Sequence, residues 1–270
     1  MSTQQTTVLS VEHLRKSYGT KEVLRDVTFS ADAGEFVCIV GPSGVGKTTL
    51  LRCLAQLAPA DSGQVVVDGR VVTEPPDEMA VVFQDYSRSL MPWMRVAANV
   101  GMPLRHTGLS RAERATRVNE ALEDVGLAGC ENLYPWQMSG GMQQRTAIAR
   151  ALAYRPDVLI MDEPFASVDA QTRADLEDLM LSVRDRIGVT IVLVTHDIDE
   201  AVYLSDKVVV LSGSPARVTA AVDVPLGRER EQLATKARPE FLELRAQIHA
   251  MIVRARPSRL AVPAGRETSA

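Results

Sequence analysis

Five short stretches carry residue types that suit phosphate chemistry. GPSGVGKTT (41–49) fits G-x-x-x-x-G-K-[ST], follows the apolar run FVCIV (36–40) and opens the helical run TTLLRCLAQL. In that context glycines let backbone N–H groups converge on phosphate oxygens, and the helix start adds partial positive charge. Gly41, Pro42, Ser43, Gly44, Val45, Gly46, Lys47, Thr48 and Thr49 form the candidate nucleotide cradle. Lys47 is placed to bridge the β- and γ-phosphates, and the Thr48 hydroxyl to ligate Mg²⁺. In VLIMDEP (158–164), Asp162 suits a contact to Mg²⁺ and Glu163 suits orienting or deprotonating a water. Gln84 follows the run AVVF, a place from which an amide can sense metal and water. His196 follows IVLVT, where an imidazole can donate to a γ-phosphate; taken alone it reads more readily as a structural histidine, and its place after a strand, in THDIDEA, favours the functional reading. The fifth stretch, MSGGMQQR (138–145), has Ser139 as a helix N-cap and Gly140-Gly141 leaving backbone donors uncovered, yet it has neither lysine nor acid.

These residues need a scaffold that delivers strand ends to one crevice. FVCIV, AVVF, VLIM, VTIVLV (189–194) and KVVVL (207–211) are continuously apolar, as strands buried on both faces of a parallel sheet are. QVVVDGRVV (64–72) joins two β-branched runs through Asp68-Gly69, a hairpin signal, so an antiparallel sheet is expected beside the parallel one. Residues 86–150 read as a helical insertion. Within it Ser110 and Glu113 make a capping box, Ala115, Val118, Leu122 and Val125 share an apolar face, and Gly126 stops the helix. Pro239 starts a further helix, with Phe241, Leu244, Ile248 and Ile252 on one face. Residues 228–259 hold eight basic side chains against four acids, read as a solvated helix docked on the body in preference to a lipid-binding tail. RETSA at the end reads as frayed.

Composition narrows the classes. With 270 residues, 46% hydrophobic and 4% aromatic, the core is aliphatic. A net charge of −4 gives no general drive toward nucleic acid. The first residues lack a secretory pattern, and no apolar run approaches the ~18 residues of a membrane span, so a soluble, cytosolic chain is expected. Cys38, Cys53 and Cys130 lack CxxC spacing, which speaks against a disulfide framework or a zinc site.

Together GPSGVGKTT, MSGGMQQR, VLIMDEP, FASVD and LVTHD, in this order, resemble the nucleotide-binding subunit of ATP-binding cassette (ABC) transporters over about residues 8–225. The resemblance implies an α/β fold: a P-loop NTPase (RecA-like) core with a mixed sheet, an N-terminal antiparallel part and a helical insertion. It implies an ATPase using ATP and Mg²⁺, with Glu163, His196, Lys47 and Gln84 catalytic. MSGGM corresponds to the family's signature sequence, with Met138 where Leu is usual; Val168 likewise stands where Leu is common. Ser139, Gly140 and Gly141 would cap the γ-phosphate held by a second copy, making a homodimer that clamps two ATP molecules. Tyr18, in KSYGT, resembles the aromatic that stacks on adenine, although alone it reads as a packing residue. Ser167 and Asp169 would face the other subunit.

LMPW with VAANV, GGMQQR and FASVDAQTR resembles, on weaker motifs, the importers for nitrate, aliphatic sulfonates and taurine. That implies a peripheral protein on the cytoplasmic face of the inner membrane under permease subunits, served indirectly by an extracytoplasmic solute-binding protein. Leu90, Met91, Trp93 and Met94 then line either a groove for a permease helix or a satellite core. The division expected is 8–225 for the ATPase domain and 226–270 for a helical tail. Two other classes share part of this pattern. A non-transport ABC ATPase acting on nucleic acid or ribosomes usually carries two cassettes or a long coiled coil between its motifs; here about 90 residues separate Lys47 from Ser139. A phosphate-loop kinase would need neither MSGGM nor FASVD.

Overall fold

The computed structural model describes residues 6–166 and 168–254. Ser167 and the final RETSA stretch lie outside the described residues. Among the described residues, ten strands form one sheet: β1 (Thr7–Tyr18), β2 (Lys21–Asp32), β3 (Phe36–Val40), β4 (Ser62–Val67), β5 (Arg70–Val71), β6 (Met79–Val82), β7 (Val158–Asp162), β8 (Thr190–Thr195), β9 (Lys207–Gly213) and β10 (Ala216–Asp223). Their spatial order is β5-β4-β1-β2-β10-β9-β3-β8-β7-β6.

The half from β9 to β6 is parallel throughout. β3, β7 and β8 are buried at every position, which is why their sequences run apolar without alternation. The other half is antiparallel: β1 pairs with β2 and β4, and β4 turns into β5 at Asp68-Gly69, both with positive φ (47° and 73°), as a type I′ hairpin requires. The expected antiparallel part is therefore present, but it is continuous with the parallel part. One parallel pairing, Ala216 with Leu24, joins the halves through β10. β1, β2 and β10 were not apparent in the sequence because half-exposed strands with bulges break the apolar runs.

The helices are α1 (Lys47–Leu54), α2 (Tyr86–Ser89), α3 (Val96–Val100), α4 (Arg111–Asp124), α5 (Gly140–Ala153), α6 (Ala170–Ile187), α7 (Ile198–Leu204), α8 (Gln232–Lys236) and α9 (Pro239–Arg254). α2 to α5 lie between β6 and β7, as a helical insertion should. The Ser110–Glu113 capping box is formed in both directions. The apolar face of α4 is shifted from the one expected: Ala115 is exposed, and Val118, Ala121, Leu122 and Val125 are buried. A 3.6-residue period leaves room for such a rotation when alanines occupy both candidate faces.

α9 docks by Phe241, Ile248 and Ile252, each contributing roughly 1.5–3 kcal/mol by burial. Its approach is fixed by Arg230, which donates to the Tyr203 carbonyl, and by Lys236, 3.1 Å from Glu177 and over the Tyr203 ring. The described part of the tail is thus a docked helix. Cys38 and Cys53 are buried free thiols, Cys130 is half-buried, and no helix among the described residues is long and apolar enough to cross a membrane.

Candidate nucleotide site

β3, β8, β7 and β6 are neighbours and parallel, so their carboxyl ends open on one side of the sheet. β3 feeds the glycine loop, β8 leads to His196, β7 ends in Asp162-Glu163, and β6 leads to Gln84 after the exposed Phe83, which lies just past the strand. A cleft of ≈ 480 Å³ is lined by Lys21, Val23, Ser43, Gly44, Gly46, Lys47, Thr48, Thr49, Gln84 and Glu163.

The glycines do different work. Gly44 and Gly46 hold φ of 75° and 118°, conformations that a side chain resists. Gly46 is the N-cap of α1 and brings no side-chain oxygen, so the first N–H groups of that helix have no capping side chain. Gly41 differs from expectation: a Cβ there would sit 2.5 Å from the Leu211 carbonyl oxygen, so packing against β9 requires it. Lys47 is buried and donates to the carbonyls of Gly41 (3.0 Å) and Pro42 (3.4 Å). Burial pulls its pKa down, and Glu163 and Asp162 oppose that shift.

Asp162 is buried, and burial raises its pKa, offset by a hydrogen bond from Thr48. Its Oδ1 has no hydrogen-bond partner among the described residues. A buried carboxylate oxygen left open beside a hydroxyl is the oxygen-donor set that Mg²⁺ takes, so Thr48 and Asp162 fit that ion. Glu163 holds φ at +43°, unusual for a residue with a side chain, and its N–H donates to the Val194 carbonyl at 2.8 Å. Strain of this kind persists where the surroundings over-determine it, and functional sites are where it concentrates. The turn carries the carboxylate to 3.8 Å from Lys47 Nζ and 3.0 Å from His196 Nδ1.

His196 stands on the rim, 60% exposed, and lines an adjoining hollow with Gly41, Pro42, Ser43, Glu163 and the α9 residues His249, Ile252 and Val253. Its loop is anchored by the Thr195 hydroxyl, which donates to Glu200 at 2.6 Å. Tyr18 is half-exposed at the β1–β2 turn, opposite Lys21 in register, with Lys16 over its ring at 5.3 Å.

Ser139, Gly140 and Gly141 are absent from the cleft lining. Ser139 is the N-cap of α5 and accepts from the Met142 N–H at 3.3 Å. Gly141 is set by packing, since a Cβ would lie 2.6 Å from Thr172 Cγ2 on α6. Thr172 in turn donates its hydroxyl to Asp169, the N-cap of α6. The Gln143 amide donates to the carbonyls of Pro135 and Met138, and the buried Gln144 donates to the carbonyl of Pro164, one residue past Glu163. Asn99, fully buried, holds the loop before α3 through Met91, Met94 and Arg95. Gln144 and Asn99 were missed in the sequence; an amide inside an apolar helical run is the signal that finds them. Of LMPWM, Leu90 is buried, Met91 and Met94 are half-buried, and Trp93 is 73% exposed, so the stretch is partly core and partly surface.

Residues 24–166 match the ABC transporter family. The chain is 38% identical over 245 residues to the taurine import ATP-binding protein TauB of Escherichia coli O157:H7, spanning 89% of this chain and 95% of that one. It is 44% identical to an ABC transporter ATP-binding protein, MJ0412, of Methanocaldococcus jannaschii, covering 89% of each. Against the nitrate import ATP-binding protein NrtC of Synechococcus elongatus it is 40% identical over 89% of its own length, but it spans only 37% of that longer relative. Among solved structures, cbiO1 from Clostridium perfringens superposes with a TM-score of 0.76 at 27% identity, covering 92% of this chain and 99% of that one. A dimeric post-hydrolysis cassette, MJ0796, bound to ADP and Pi gives 0.69 at 30% identity, covering 80% and 98%. The chain belongs to the ABC transporter family. Within it, the chain is an ATP-binding protein and an ATPase with the P-loop α/β fold.

Proposed function

We propose that this ATPase energises an importer for a small nutrient anion of the nitrate, sulfonate or taurine kind. It works as a homodimer, docked peripherally on permease subunits at the cytoplasmic face of the membrane, with a solute-binding protein acting beyond them. The observation that carries the catalytic part is the set of four adjacent parallel strand ends, with Glu163 between Lys47 and His196.

In this reading Lys47 and the N–H groups of the glycine loop hold the β- and γ-phosphates, and Tyr18 stacks on the base. Glu163 takes the proton of the attacking water, and His196, hydrogen-bonded to it, donates toward the γ-phosphate. Thr48 and Asp162, with Gln84 nearby, would hold Mg²⁺, whose charge neutralises the phosphate oxygens. Ser139, Gly140 and Gly141 complete the site of the opposite copy, with Asp169 at the same junction, and this is what a phosphate-binding sequence outside its own cleft is for. Residues 8–225 form the ATPase domain, 86–150 its helical insertion, and 226–270 a tail. The anion class rests on similarity to TauB and NrtC.

The test uses Glu163→Gln, which keeps the phosphate contacts and removes the base. Phosphate release should fall on the order of 10²–10⁴-fold, and sizing should detect a dimer with ATP that dissolves when nucleotide is removed. Retained hydrolysis would reject Glu163 as the base. A monomer at saturating ATP, with permease present, would reject the two-copy site. Reconstitution with the permease and its binding protein, assayed with taurine, sulfonates and nitrate, tests the solute; ATPase stimulation by none of them would reject that class.

A further inference from the structure

The catalytic chemistry leaves the tail without a part, although α9 lies against the His196 side of the site. Two hollows run between them. One, of ≈ 460 Å³, is shared by Gly41, Pro42, Ser43 and Glu163 with Ile252 and Val253 of α9. The other, of ≈ 610 Å³, is shared by Asp197 and Asp199 with Leu242, Arg245 and Ala246 of α9. His196, Ile198 and His249 line both, so the imidazole stands at the junction of the catalytic residues and the tail.

His196 is 60% exposed, so packing alone does not fix its ring. Its place depends on the bond to Glu163 at 3.0 Å and on the turn that carries it. That turn holds three acids, Asp197, Asp199 and Glu200, and like charges so close repel. Among the described residues, two arginines offset them. Arg173 of α6 lies 3.6 Å from Asp197 and 3.7 Å from Glu200. Arg245 of α9 stands 2.7 Å from Asp199 Oδ1 without hydrogen-bond geometry, so it holds that carboxylate by charge. The N–H groups of Asp199 and Glu200 donate to Asp197 Oδ1 at 2.8 and 3.3 Å. A pull on Asp199 therefore reaches the residue next to His196. The grip of Arg173 comes from the body of the domain. The grip of Arg245 comes from a helix docked from outside through Phe241, Ile248 and Ile252.

We propose that Arg245 is a positioning residue for His196, through which the docked tail takes part in ATP hydrolysis. The inference rests on His196 acting at the γ-phosphate, as proposed above. Arg245 is absent from the lining of the nucleotide cleft. Its loss should therefore slow the chemical step and spare nucleotide binding. It is also half-exposed, and ion pairs in water contribute little to stability, so its variants should fold.

The test is the steady-state ATPase of the full chain. Arg245→Ala should lower kcat roughly fivefold, with the KM for ATP within about twofold of native. Arg245→Lys should restore most of the rate, because a charge is what acts on Asp199. His196→Ala supplies the reference. In that background Arg245→Ala should cost nothing further, since no imidazole is left to place. A native kcat for Arg245→Ala, with His196→Ala impaired, overturns the inference and leaves the role of His196 standing. So does an Arg245→Lys variant as slow as Arg245→Ala, or a raised KM at unchanged kcat. An equal fall in the His196→Ala background would make Arg245 a general support of the fold and overturn it as well. If His196→Ala keeps a native kcat, the inference and the proposed role of His196 fall together.

Discussion

The cleft at the strand ends and the start of α5 both suit anions, and they are built in opposite ways. The cleft is a product of the sheet: residues from 21 to 163 line it, and Lys47, Gln84 and Glu163 meet there because β3, β8, β7 and β6 are neighbours. The start of α5 is local, with Ser139, Gln143 and the 134–138 turn holding one another through hydrogen bonds over short sequence separations. The first has an acid, a lysine and an unpartnered carboxylate oxygen of its own; the second has only a capped helix end. A site assembled from distant strands can concentrate charge because buried neighbours balance it, as Glu163 and Asp162 do for Lys47. A local helix start cannot, and so it serves as an accessory to a charge supplied from elsewhere.

The sharpest way to break this contrast is Ser139→Asp. An aspartate caps a helix as well as a serine does, but it repels phosphate. ATPase activity should fall on the order of 10²-fold while the melting curve stays within about 1 °C of native, a shift expected for a cap conserved within ~0.3 kcal/mol. Activity close to native would reduce Ser139 to a helix cap.

Gly141→Ala probes the packing side of the same stretch. The new methyl meets Thr172 Cγ2, and overpacking of that kind costs about 1–3 kcal/mol. Thr172→Ser removes the opposing methyl, keeps the hydroxyl bond to Asp169, and should recover most of that loss in a urea titration. A destabilisation untouched by Thr172→Ser would mean that backbone freedom at position 141 matters, and not the contact.

The smallest effect concerns the anchor of the His196 loop. Burial raises the Glu200 carboxyl to about 7. Between pH about 4.5 and 7 the unfolded chain releases a proton that the folded chain keeps, so stability declines as pH rises through that window and levels off above it. Glu200→Gln keeps a partner for Thr195 and should remove this decline, on the order of 1–3 kcal/mol, measured as the difference in urea midpoints between pH 5 and pH 8. An unchanged decline would show that Glu200 ionises as an ordinary carboxyl.

Much of the fold and site is legible in the sequence alone. GPSGVGKTT named its own loop because a strand, three glycines, a lysine and a helix start must follow one another for phosphate to be held. The five parallel strands were readable because burial on both faces leaves no polar alternation. Ser110 with Glu113 declared the start of α4 through chemistry confined to one turn. Tertiary structure decided the rest. The face of α4 turned away from Ala115, because helix rotation is settled by what packs against it. Gly41 and Gly141 owe their lack of a side chain to Leu211 and Thr172, neighbours that no local pattern shows. The same holds for Gln144 reaching Pro164, and for Glu163 lying between a lysine 116 positions before it and a histidine 33 positions after it. Sequence fixes local conformation and the inventory of chemical groups. Only the order of strands in a sheet, set by long-range burial, determines which of those groups share a cleft.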